Sequence, residues 1–282
     1  MALFRAIETA RPATARLFTD RFATRFLRPA YRLVARLSRF PVLRSLVVHR
    51  VDRLVPGART SAVARTRLID DALSAAVHGI DQVVILGAGY DCRAYRIPAL
   101  DRLAVFEIDH PDTLGEKRRR LAGARLAHVR FVGTDFDRRS AADALASTDY
   151  DPARPTFFIW EGVTNYLTAS AVDTTFRWLG IAAPGSTVAF TYVHRSVLDA
   201  PGTFEGAEPL LRELARLGEP WTFGLDPCDT PAYVSARGLT LVEDLGADEY
   251  RERYLAGRPD GRRGYAFYRV ALATVADRTA AG

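Results

Sequence analysis

Short apolar runs alternate with amphipathic stretches through most of the chain, and this alternation predicts the fold. Five runs are typical of buried strands: 83–86, 103–108, 128–132, 156–160 and 187–192. The stretch 169–182 has helical periodicity and is followed by a Pro-Gly pair. Buried strands separated by helices indicate a parallel sheet that is covered on both faces. Two late runs, 239–244 and 265–274, are expected to complete the sheet.

The N-terminal segment and one internal segment depart from this alternation. Residues 13–39 place apolar side chains at helical spacing and arginines on the other faces, which predicts a helix or a helix pair. We therefore expect an N-terminal helical cap over residues 1–60 and an α/β domain over residues 61–282. The strand–helix order stops near residue 195, so residues 195–232 are expected to form an insertion with one helix and a loop.

The composition is that of a globular protein, with 282 residues of which 48% are hydrophobic and 26% are charged. No run approaches the roughly 18 uncharged residues of a membrane-spanning helix. The first eleven residues lack the apolar core of a secretory signal. Cys92 and Cys228 have no metal-ligand spacing and are too few for a disulfide framework. We expect a cytoplasmic protein without a metal site.

The charge is distributed unevenly along the chain. Up to Arg67 there are fifteen arginines and three acidic residues, a net charge of +12, which leaves −6 for the remainder because the total is +6. This basic end has three interpretations: a solvated arginine face, contact with an acidic substrate or carrier, or contact with a membrane surface or a nucleic acid. No nucleic-acid motif accompanies the arginines, so no nucleic-acid partner is expected.

A glycine-rich turn directly after the first predicted strand is the first candidate site. In the sequence Gly87-Ala88-Gly89 the glycines let a ligand approach the backbone closely at the carboxyl end of the strand. The next strand carries Glu107 and Asp109 on one face, and either could accept the ribose hydroxyls of an adenosine. The alternatives without a ligand are a plain tight turn and a helix cap at Asp109.

The glycine spacing distinguishes two classes of adenosine ligand. A dinucleotide site places a third glycine three residues after Gly89, where this chain has Cys92. Asp91 would also put a negative charge near a diphosphate. The turn therefore favours a ligand without phosphate, such as S-adenosylmethionine, over a dinucleotide.

Two later strand ends add polar candidates. Asp135, after the third strand, could bond an adenine amino group while Phe136 packs on the ring. Glu161, after the fourth strand, could face the ammonium group of a bound amino acid, since an unpaired buried carboxylate is costly. The alternatives are an aspartate in a turn beside a core phenylalanine, and pairing of Glu161 with a local arginine.

Several spaced motifs closely resemble the leucine carboxyl methyltransferase-like family, and most closely its actinobacterial small-molecule branch. In chain order they are ARTR at 64–67, ILGAGYD at 85–91, FEIDHP at 106–111, GTDFD at 133–137, WEGVTNYL at 160–167, FGLDP at 223–227 and VEDLGADEYRERY at 242–254. The resemblance covers residues 58–274. It implies a Rossmann-like class I methyltransferase sheet, parallel with one antiparallel strand, and S-adenosyl-L-methionine as the cofactor.

The resemblance also implies a cofactor role for each position that matches the family. Seven residues are expected to bind the cofactor: Arg65, Gly87, Gly89, Asp109, Asp135, Phe136 and Glu161. Arg65 would pair with the methionine carboxylate, Asp109 would hold the ribose, and Glu161 would lie near the methionine end. The family usually has leucine where this chain has Phe136. An N-terminal cofactor contact of the protein-modifying members has no expected counterpart in the cap.

The expected reaction is O-methylation of a carboxylate to a methyl ester. A sulfonium methyl group is already activated, so the protein must chiefly align the acceptor oxygen and exclude water. A carboxylate is ionised at neutral pH, whereas a phenol, with a pKa of about 10, needs a general base. We expect a small acidic or polyketide-like acceptor, free or carrier-bound. The alternatives are a phenolic or hydroxyl O-methyltransferase with His194 as base, and a non-catalytic cofactor-binding module.

Residues for positioning an anionic acceptor are sought at the strand ends on the ligand-binding side. The candidates are Tyr90, Arg93, Tyr166, Tyr192, His194 and Arg195. The insertion and the cap are expected to form a lid over them, because such a lid would exclude water. The arginines of the cap would then attract an acid.

Overall fold

A seven-stranded sheet forms the centre of the computed structural model, which describes residues 1–136, 139–258 and 263–275. In chain order the strands are β1 Gln82–Leu86, β2 Ala104–Asp109, β3 Val129–Gly133, β4 Thr156–Trp160, β5 Thr187–Val193, β6 Leu239–Leu245 and β7 Tyr268–Val275. Their order in the sheet is β3-β2-β1-β4-β5-β7-β6. β7 runs antiparallel to both β5 and β6, and the pairs among β1 to β5 are parallel. The predicted class I methyltransferase sheet is confirmed.

The helices cover both faces of this sheet. In chain order they are α1 Ala2–Thr9, α2 Pro29–Leu37, α3 Pro41–Leu54, α4 Ala58–Ala76, α5 Arg93–Arg96, α6 Pro111–Arg120, α7 Ala141–Leu145, α8 Ala169–Leu179, α9 Ser196–Asp199, α10 Ala207–Arg216, α11 Thr230–Ser235 and α12 Ala247–Leu255. None of the helices in the described ranges has the length and apolar character required to cross a membrane.

Alternate residues of one strand enter different core layers, which explains the continuous apolar runs. Val84 of β1 packs in the layer that contains Phe176 of α8. Its neighbour Val83 packs on the other face, in the layer that contains Leu68 of α4. A strand that is buried on both faces has no polar alternation. For this reason the strands were predicted within one residue of their observed bounds, except that β7 begins at Tyr268 instead of residue 265.

The prediction of a helix or helix pair over residues 13–39 was wrong for its first half. The chain between α1 and α2 forms turns and a short 3-10 helix, Ala23–Phe26. The carboxylate of Asp20 accepts hydrogen bonds from the backbone N–H groups of Phe22 and Ala23, at 3.0 and 2.9 Å, which begins this 3-10 turn. Helix α2 starts only at Pro29, whose fixed φ suits a first helical position. The regular spacing of the apolar residues reflects burial of Phe22 and Phe26 against the α4 side of the sheet.

The carboxyl ends of β1, β2 and β4 meet at one edge of the sheet. β1 lies between β2 and β4 in the sheet. The connection that leaves β1 leads to β2, toward the β3 edge, whereas the connection that leaves β4 leads to β5, toward the β6 edge. Crevices of this kind at the carboxyl ends of parallel strands are where α/β proteins bind ligands. The fold therefore brings the glycine turn, Asp109 and Glu161 to one region, as the positions after the strands predicted.

Candidate functional site

Two adjoining cavities lie at the carboxyl ends of β1 and β4. The first, named here the glycine-turn cavity, has a volume of about 300 Å³ and is lined by Met1, Ala2, Arg5, Arg65, residues 85–91, Glu161 and Gly162. The second, named the apolar cavity, has a volume of about 330 Å³ and is lined by Met1, Phe4, Val55, Ala58, Ser61, Arg65, Gly162, Asn165, Tyr166, Leu210, Leu214, Trp221, Tyr265 and Tyr268. Met1, Arg65 and Gly162 belong to both linings. The cap and the insertion both contribute walls to the apolar cavity.

Backbone geometry fixes the glycines of the turn. Gly87 has a φ of +62° and Gly89 a φ of +40°, a region that side chains other than glycine rarely adopt. A Cβ atom on Gly87 would lie only 2.4 Å from Cγ2 of Val163. The turn therefore needs glycine for its own packing, and the missing side chains also leave backbone exposed to the glycine-turn cavity.

Asp109 is tied directly to this turn. Its Oδ2 accepts a hydrogen bond from the Gly89 N–H at 2.6 Å, and its Oδ1 accepts one from the His110 N–H at 2.6 Å. The helix-cap interpretation of Asp109 is wrong, because His110 occupies the N-cap of α6 and accepts from Asp112 N–H. Asp109 is not in the lining of the glycine-turn cavity but is bonded to Gly89, which is, and its ribose role stays a prediction.

The alternative prediction, that Glu107 accepts the ribose hydroxyls, is wrong. Its side chain is fully buried and its Oε2 lies 2.7 Å from Nζ of Lys117. Lys117 Nζ also donates to the carbonyl oxygen of Ala88 at 3.4 Å. Burial raises the pKa of Glu107, and Lys117 and a hydrogen bond from Tyr95 partly oppose this rise. The pair supports the glycine turn from within the core, where a ribose cannot reach it.

Glu161 lies between two arginines at the end of β4. Its Oε1 is 2.7 Å from Nε of Arg65, and its Oε2 is 2.8 Å from Nη1 of Arg93. Burial by itself would raise the pKa of Glu161, but the charges of Arg93 and Arg65 outweigh it, so the pKa is lowered and the group is a carboxylate. The interpretation that Glu161 pairs with a local arginine is thus confirmed, although Glu161 still lines the cavity.

Arg65 retains hydrogen-bonding capacity after this pairing. Its Nε is used by Glu161, and its guanidinium carbon lies 4.8 Å from the ring centre of Tyr268. None of the hydrogen bonds found between described residues uses the Nη atoms of Arg65. The glycine-turn cavity therefore offers both a cation, Arg65, and an anion, Glu161, to a ligand.

Arg93 is not an acceptor-positioning residue, contrary to the sequence-based expectation. Its guanidinium is buried and contacts three carboxylates: Nε lies 2.8 Å from Asp70, and Nη1 contacts Asp91 and Glu161. The carboxylates take Nε and Nη1, and Nη2 donates to the Thr66 carbonyl at 3.5 Å, so Arg93 holds Glu161 in place from the core side. Its pKa is raised well above the usual value, because the three carboxylates outweigh the opposing effect of burial.

Tyr192 and Arg195 were also expected to position the acceptor, and the structure places both elsewhere. Tyr192 is fully buried; its hydroxyl donates to Asp244 at 2.6 Å and accepts from Thr230 at 3.2 Å. Arg195 is exposed and forms an ion pair with Asp199 at 3.2 Å, one turn away on the surface. Neither lines the two cavities.

His194, the candidate base for a phenol, lies outside both linings as well. Its Nδ1 is 3.0 Å from the Ser196 hydroxyl and 3.3 Å from a carboxylate oxygen of Asp226, and its ring contacts Phe204. Burial lowers the pKa of His194, and the charge of Asp226 partly opposes this. The structure thus gives His194 a role in joining β5 to the insertion.

The two remaining tyrosine candidates line a cavity each. Tyr90 lines the glycine-turn cavity and stacks on Phe26 of the cap, with 4.6 Å between the ring centres. Burial raises the pKa of Tyr90, and so does Glu116, which the Tyr90 hydroxyl contacts. Tyr166 lines the apolar cavity and packs edge-to-face on Trp221 at 6.4 Å. Their positions keep both as candidates for ligand contact.

Asp135 and Phe136 follow β3 and are half-buried. Phe136 packs against the core layer of the α8 face. Neither residue lines either cavity, so the adenine role of this pair stays a prediction. The last residue of the GTDFD motif, position 137, lies outside the described residues.

The model of the family described as "Leucine carboxyl methyltransferase" matches residues 1–180. The chain belongs to the leucine carboxyl methyltransferase family. This confirms the resemblance found in the sequence motifs.

Relatives of this chain are found in several bacteria. YktD of Bacillus subtilis, a predicted S-adenosyl-L-methionine-dependent methyltransferase, is 32% identical over 190 residues, which are 64% of this chain and 61% of YktD. SCO6443 of Streptomyces coelicolor, predicted to have the same activity, is 38% identical over 212 residues, 67% of this chain and 63% of that protein. A Parafrankia relative, Franean1_4929, is 32% identical over 84% of this chain and 74% of its own length. The matched region thus spans less than two thirds of YktD and of SCO6443.

Solved structures support the methyltransferase-family fold. A DUF574 family protein from Streptomyces avermitilis aligns over 96% of this chain and 100% of its own, with a TM-score of 0.59 and 17% identity. A structure from Listeria monocytogenes, described as a predicted S-adenosylmethionine-dependent methyltransferase, aligns over 77% of this chain and 100% of its own, with a TM-score of 0.51 and 15% identity. At these identities the likeness shows the fold alone.

Sequence reasoning missed two residues of this family member's site. Arg5 of α1 lines the glycine-turn cavity, where it donates to the Tyr90 carbonyl at 2.6 Å and pairs with Asp20 at 2.8 Å. Asn165 lines the apolar cavity. Among the many cap arginines nothing marks Arg5, and an asparagine in a turn has no signature of burial. Within the described part of residues 1–60, Arg5 is the one arginine in either lining, so the other cap arginines do not surround the cavities.

Proposed function

We propose that this chain is an S-adenosyl-L-methionine-dependent O-methyltransferase that converts a carboxylate of a small, largely apolar molecule into a methyl ester. Family membership and the predicted activities of YktD and SCO6443 support methyl transfer from this cofactor. A small acidic or polyketide-like acceptor, free or carrier-bound, and a cytoplasmic location are parts of the proposal. The choice of a carboxylate rests on the lining of the apolar cavity.

The residues of the glycine-turn cavity fit the amino-acid part of this cofactor. An amino acid has a carboxylate and an ammonium group, and the cavity offers Arg65, with Nη atoms that no described residue uses, beside the ionised Glu161. Gly87 and Gly89 line the cavity without side chains, and Asp109 accepts a hydrogen bond from the Gly89 N–H. In the proposed complex Arg65 binds the methionine carboxylate, Glu161 lies near the ammonium and Asp109 binds the ribose.

When bound, S-adenosyl-L-methionine supplies a methyl group that its sulfonium already activates for transfer. The protein's contribution is alignment and the exclusion of water. Leu210 and Leu214 of α10 and Phe4 of α1 line the apolar cavity from the insertion and the cap. These side chains are placed to cover an acceptor that lies next to the shared residues Arg65 and Gly162.

The observation that favours a carboxylate acceptor is that no general-base side chain lines the described part of the apolar cavity. Of the described residues that line it, Arg65 alone has a charged side chain, and none is histidine, aspartate, glutamate or lysine. A carboxylate is ionised at neutral pH and needs no base, whereas a phenol does. Glu161 in the adjoining cavity is a weak base, because two arginines lower its pKa. His194 lies elsewhere, so the phenol alternative loses its candidate base.

The test is the chemical stability of the transferred label. The protein is incubated with methyl-labelled S-adenosyl-L-methionine and, separately, with sets of carboxylic acids and phenols. We expect label in products that release methanol in mild alkali, as methyl esters do, and the same products from the His194→Ala variant. Label in alkali-stable ethers that disappears in His194→Ala would contradict the proposal. Cofactor binding without label in any product would favour the non-catalytic binding module.

A further inference from the structure

Asn165 lines the apolar cavity, and the oxygen of its side-chain amide has no hydrogen-bond partner among the described residues. The Asn165 side chain is 1% exposed, and its Oδ1 is buried without a hydrogen-bond partner. None of the hydrogen bonds between described residues uses its amide, although its backbone carbonyl accepts from the Thr222 N–H of the insertion at 2.8 Å. The backbone at this position is therefore fixed, and the amide oxygen is left without a partner in the described part of the chain.

Two hydroxyl groups in the same lining are satisfied, whereas the indole Nε1 of Trp221, like Oδ1 of Asn165, is buried without a hydrogen-bond partner among the described residues. The Ser61 hydroxyl lies 2.8 Å from the Tyr250 hydroxyl and accepts from the Tyr265 N–H at 2.8 Å. The Tyr268 hydroxyl lies 3.3 Å from that of Thr191. Leaving a buried amide unpaired costs roughly 1–3 kcal/mol, so such a group in a folded protein needs an explanation. At a cavity wall, a bound ligand supplies one.

We propose that Asn165 binds the acceptor, with its amide donating to the carboxylate that is methylated, while the apolar body of the acceptor packs against Leu214 and Trp221. This inference rests on the proposed function and names its substrate class: a monocarboxylic acid with an apolar body. Among the described residues of the lining, Arg65 has the one charged side chain, so no second cationic side chain is offered to a diacid. The volume of about 330 Å³ lies at the small end of the roughly 300–1,000 Å³ usual for small-molecule pockets.

The amide is suited to this task by its chemistry. It provides two N–H donors, and rotation about its terminal bond exchanges nitrogen and oxygen. The neutral amide holds the acceptor's carboxylate in place without neutralising the negative charge of the carboxylate. The carboxylate oxygen therefore remains a nucleophile. Arg65 is shared with the glycine-turn cavity, so it marks the point at which the acceptor and the cofactor meet.

The substitution Asn165→Leu separates a ligand-binding amide from a structural one. It keeps the volume nearly constant and removes the unpaired polar group. We expect the melting temperature to stay the same or rise, and the affinity for S-adenosylhomocysteine to stay within about twofold. Affinity for the probes benzoate, 4-phenylbutyrate and octanoate, measured by calorimetry with S-adenosylhomocysteine present, should fall about tenfold or more for the acids that bind the wild type.

Ser61→Ala is the matched control, because it removes a satisfied polar group from the same cavity. It should lower the melting temperature, since Tyr250 and the Tyr265 N–H lose their partner. A lowered melting temperature in Asn165→Leu with unchanged acid affinity would overturn the proposal. So would wild-type protein that binds none of the three acids, or that binds 4-phenylbutyramide as tightly as 4-phenylbutyrate.

The proposed function and this inference fail in different ways. Ester formation by Asn165→Leu at the wild-type rate and affinity would overturn the role of Asn165 and leave the methyltransferase proposal intact. Acid binding that depends on Asn165, without any ester formed, would support the binding site and overturn the proposed reaction.

Discussion

Arg65 and Glu161 form an ion pair that uses only part of the arginine. Nε of Arg65 lies 2.7 Å from Oε1 of Glu161, and the second oxygen of Glu161 is held by Arg93 at 2.8 Å. Arg93 in turn is fixed by Asp70 and Asp91. The orientation of Arg65 is thus set before a ligand arrives, which lowers the entropic cost of binding an anion through its Nη atoms.

Arg65→Met tests this relationship. We expect the affinity for S-adenosylhomocysteine to fall about tenfold to a hundredfold, because a charge-assisted hydrogen bond to the ligand carboxylate is worth about 1.5–3 kcal/mol. Arg67→Met on the same helix is the control, since Arg67 forms a half-exposed pair with Asp71 and lines neither cavity. Calorimetry on both variants measures the difference, and equal affinities would be inconsistent with a binding role for Arg65.

The backbone geometry of the glycine turn predicts that a side chain at Gly87 is not tolerated. Gly87→Ala combines a positive φ with a Cβ atom 2.4 Å from Val163, so it should displace the turn and abolish S-adenosylhomocysteine binding. Gly123→Ala is the control, because Gly123 has a φ of +80° but nothing within 4 Å of the added carbon. It should lose only about 1–2 kcal/mol of stability to strain. Binding and thermal melting of both variants check this, and wild-type binding by Gly87→Ala would refute it.

The buried pair Lys117–Glu107 predicts a non-additive effect on stability. Lys117→Met should reduce the free energy of unfolding by about 3–5 kcal/mol, because it leaves the carboxylate of Glu107 buried without its partner. The double variant Lys117→Met/Glu107→Leu should recover most of this loss. Urea unfolding of the two single variants and the double variant measures the coupling. Additive losses would show that the pair does not act as a unit.

Acid should weaken the carboxylate cluster around Arg93. Burial would raise the pKa of Asp91, but Arg93, Lys117 and a backbone hydrogen bond outweigh it and lower the pKa to about 2 from the usual 3.8. Because the pKa of Asp91 is lower in the folded than in the unfolded state, Asp91 stabilises the folded protein by roughly 2 kcal/mol above about pH 4. This contribution is lost as the pH falls toward 2.

Melting temperatures of wild type and Asp91→Asn between pH 7 and pH 2.5 test this effect. The gap between the two proteins should be largest above pH 4 and should narrow as pH falls. Asp112→Asn is the control, because the Asp112 side chain is 96% exposed. A gap that widens in acid would contradict the lowered pKa of Asp91.

The strands could be predicted from the sequence because a strand that is buried on both faces consists of an uninterrupted run of apolar residues. Thr156–Trp160 is buried on both faces, and an uninterrupted apolar run permits few other structures. The cap could not be predicted in the same way. The apolar spacing of Phe22 and Phe26 suits a helix, yet a hydrogen-bonding aspartate, Asp20, converts that stretch into turns.

The positions of candidate site residues could be predicted where the topology alone decides them. Gly87, Asp109 and Glu161 follow parallel strands, whose carboxyl ends meet at one edge. The prediction failed where a distant partner decides the side chain's environment. Tyr192 is bound by Asp244, fifty-two residues later, and such partners become visible only in the folded chain.

The most direct test of the account is binding of S-adenosylhomocysteine and NAD, measured by calorimetry, to wild type and Asp109→Ala. The account predicts that the wild type binds S-adenosylhomocysteine and not NAD, and that Asp109→Ala binds S-adenosylhomocysteine at least about tenfold more weakly, because the ribose loses a charged acceptor. Binding of NAD in place of S-adenosylhomocysteine, or undiminished binding by the variant, would contradict it.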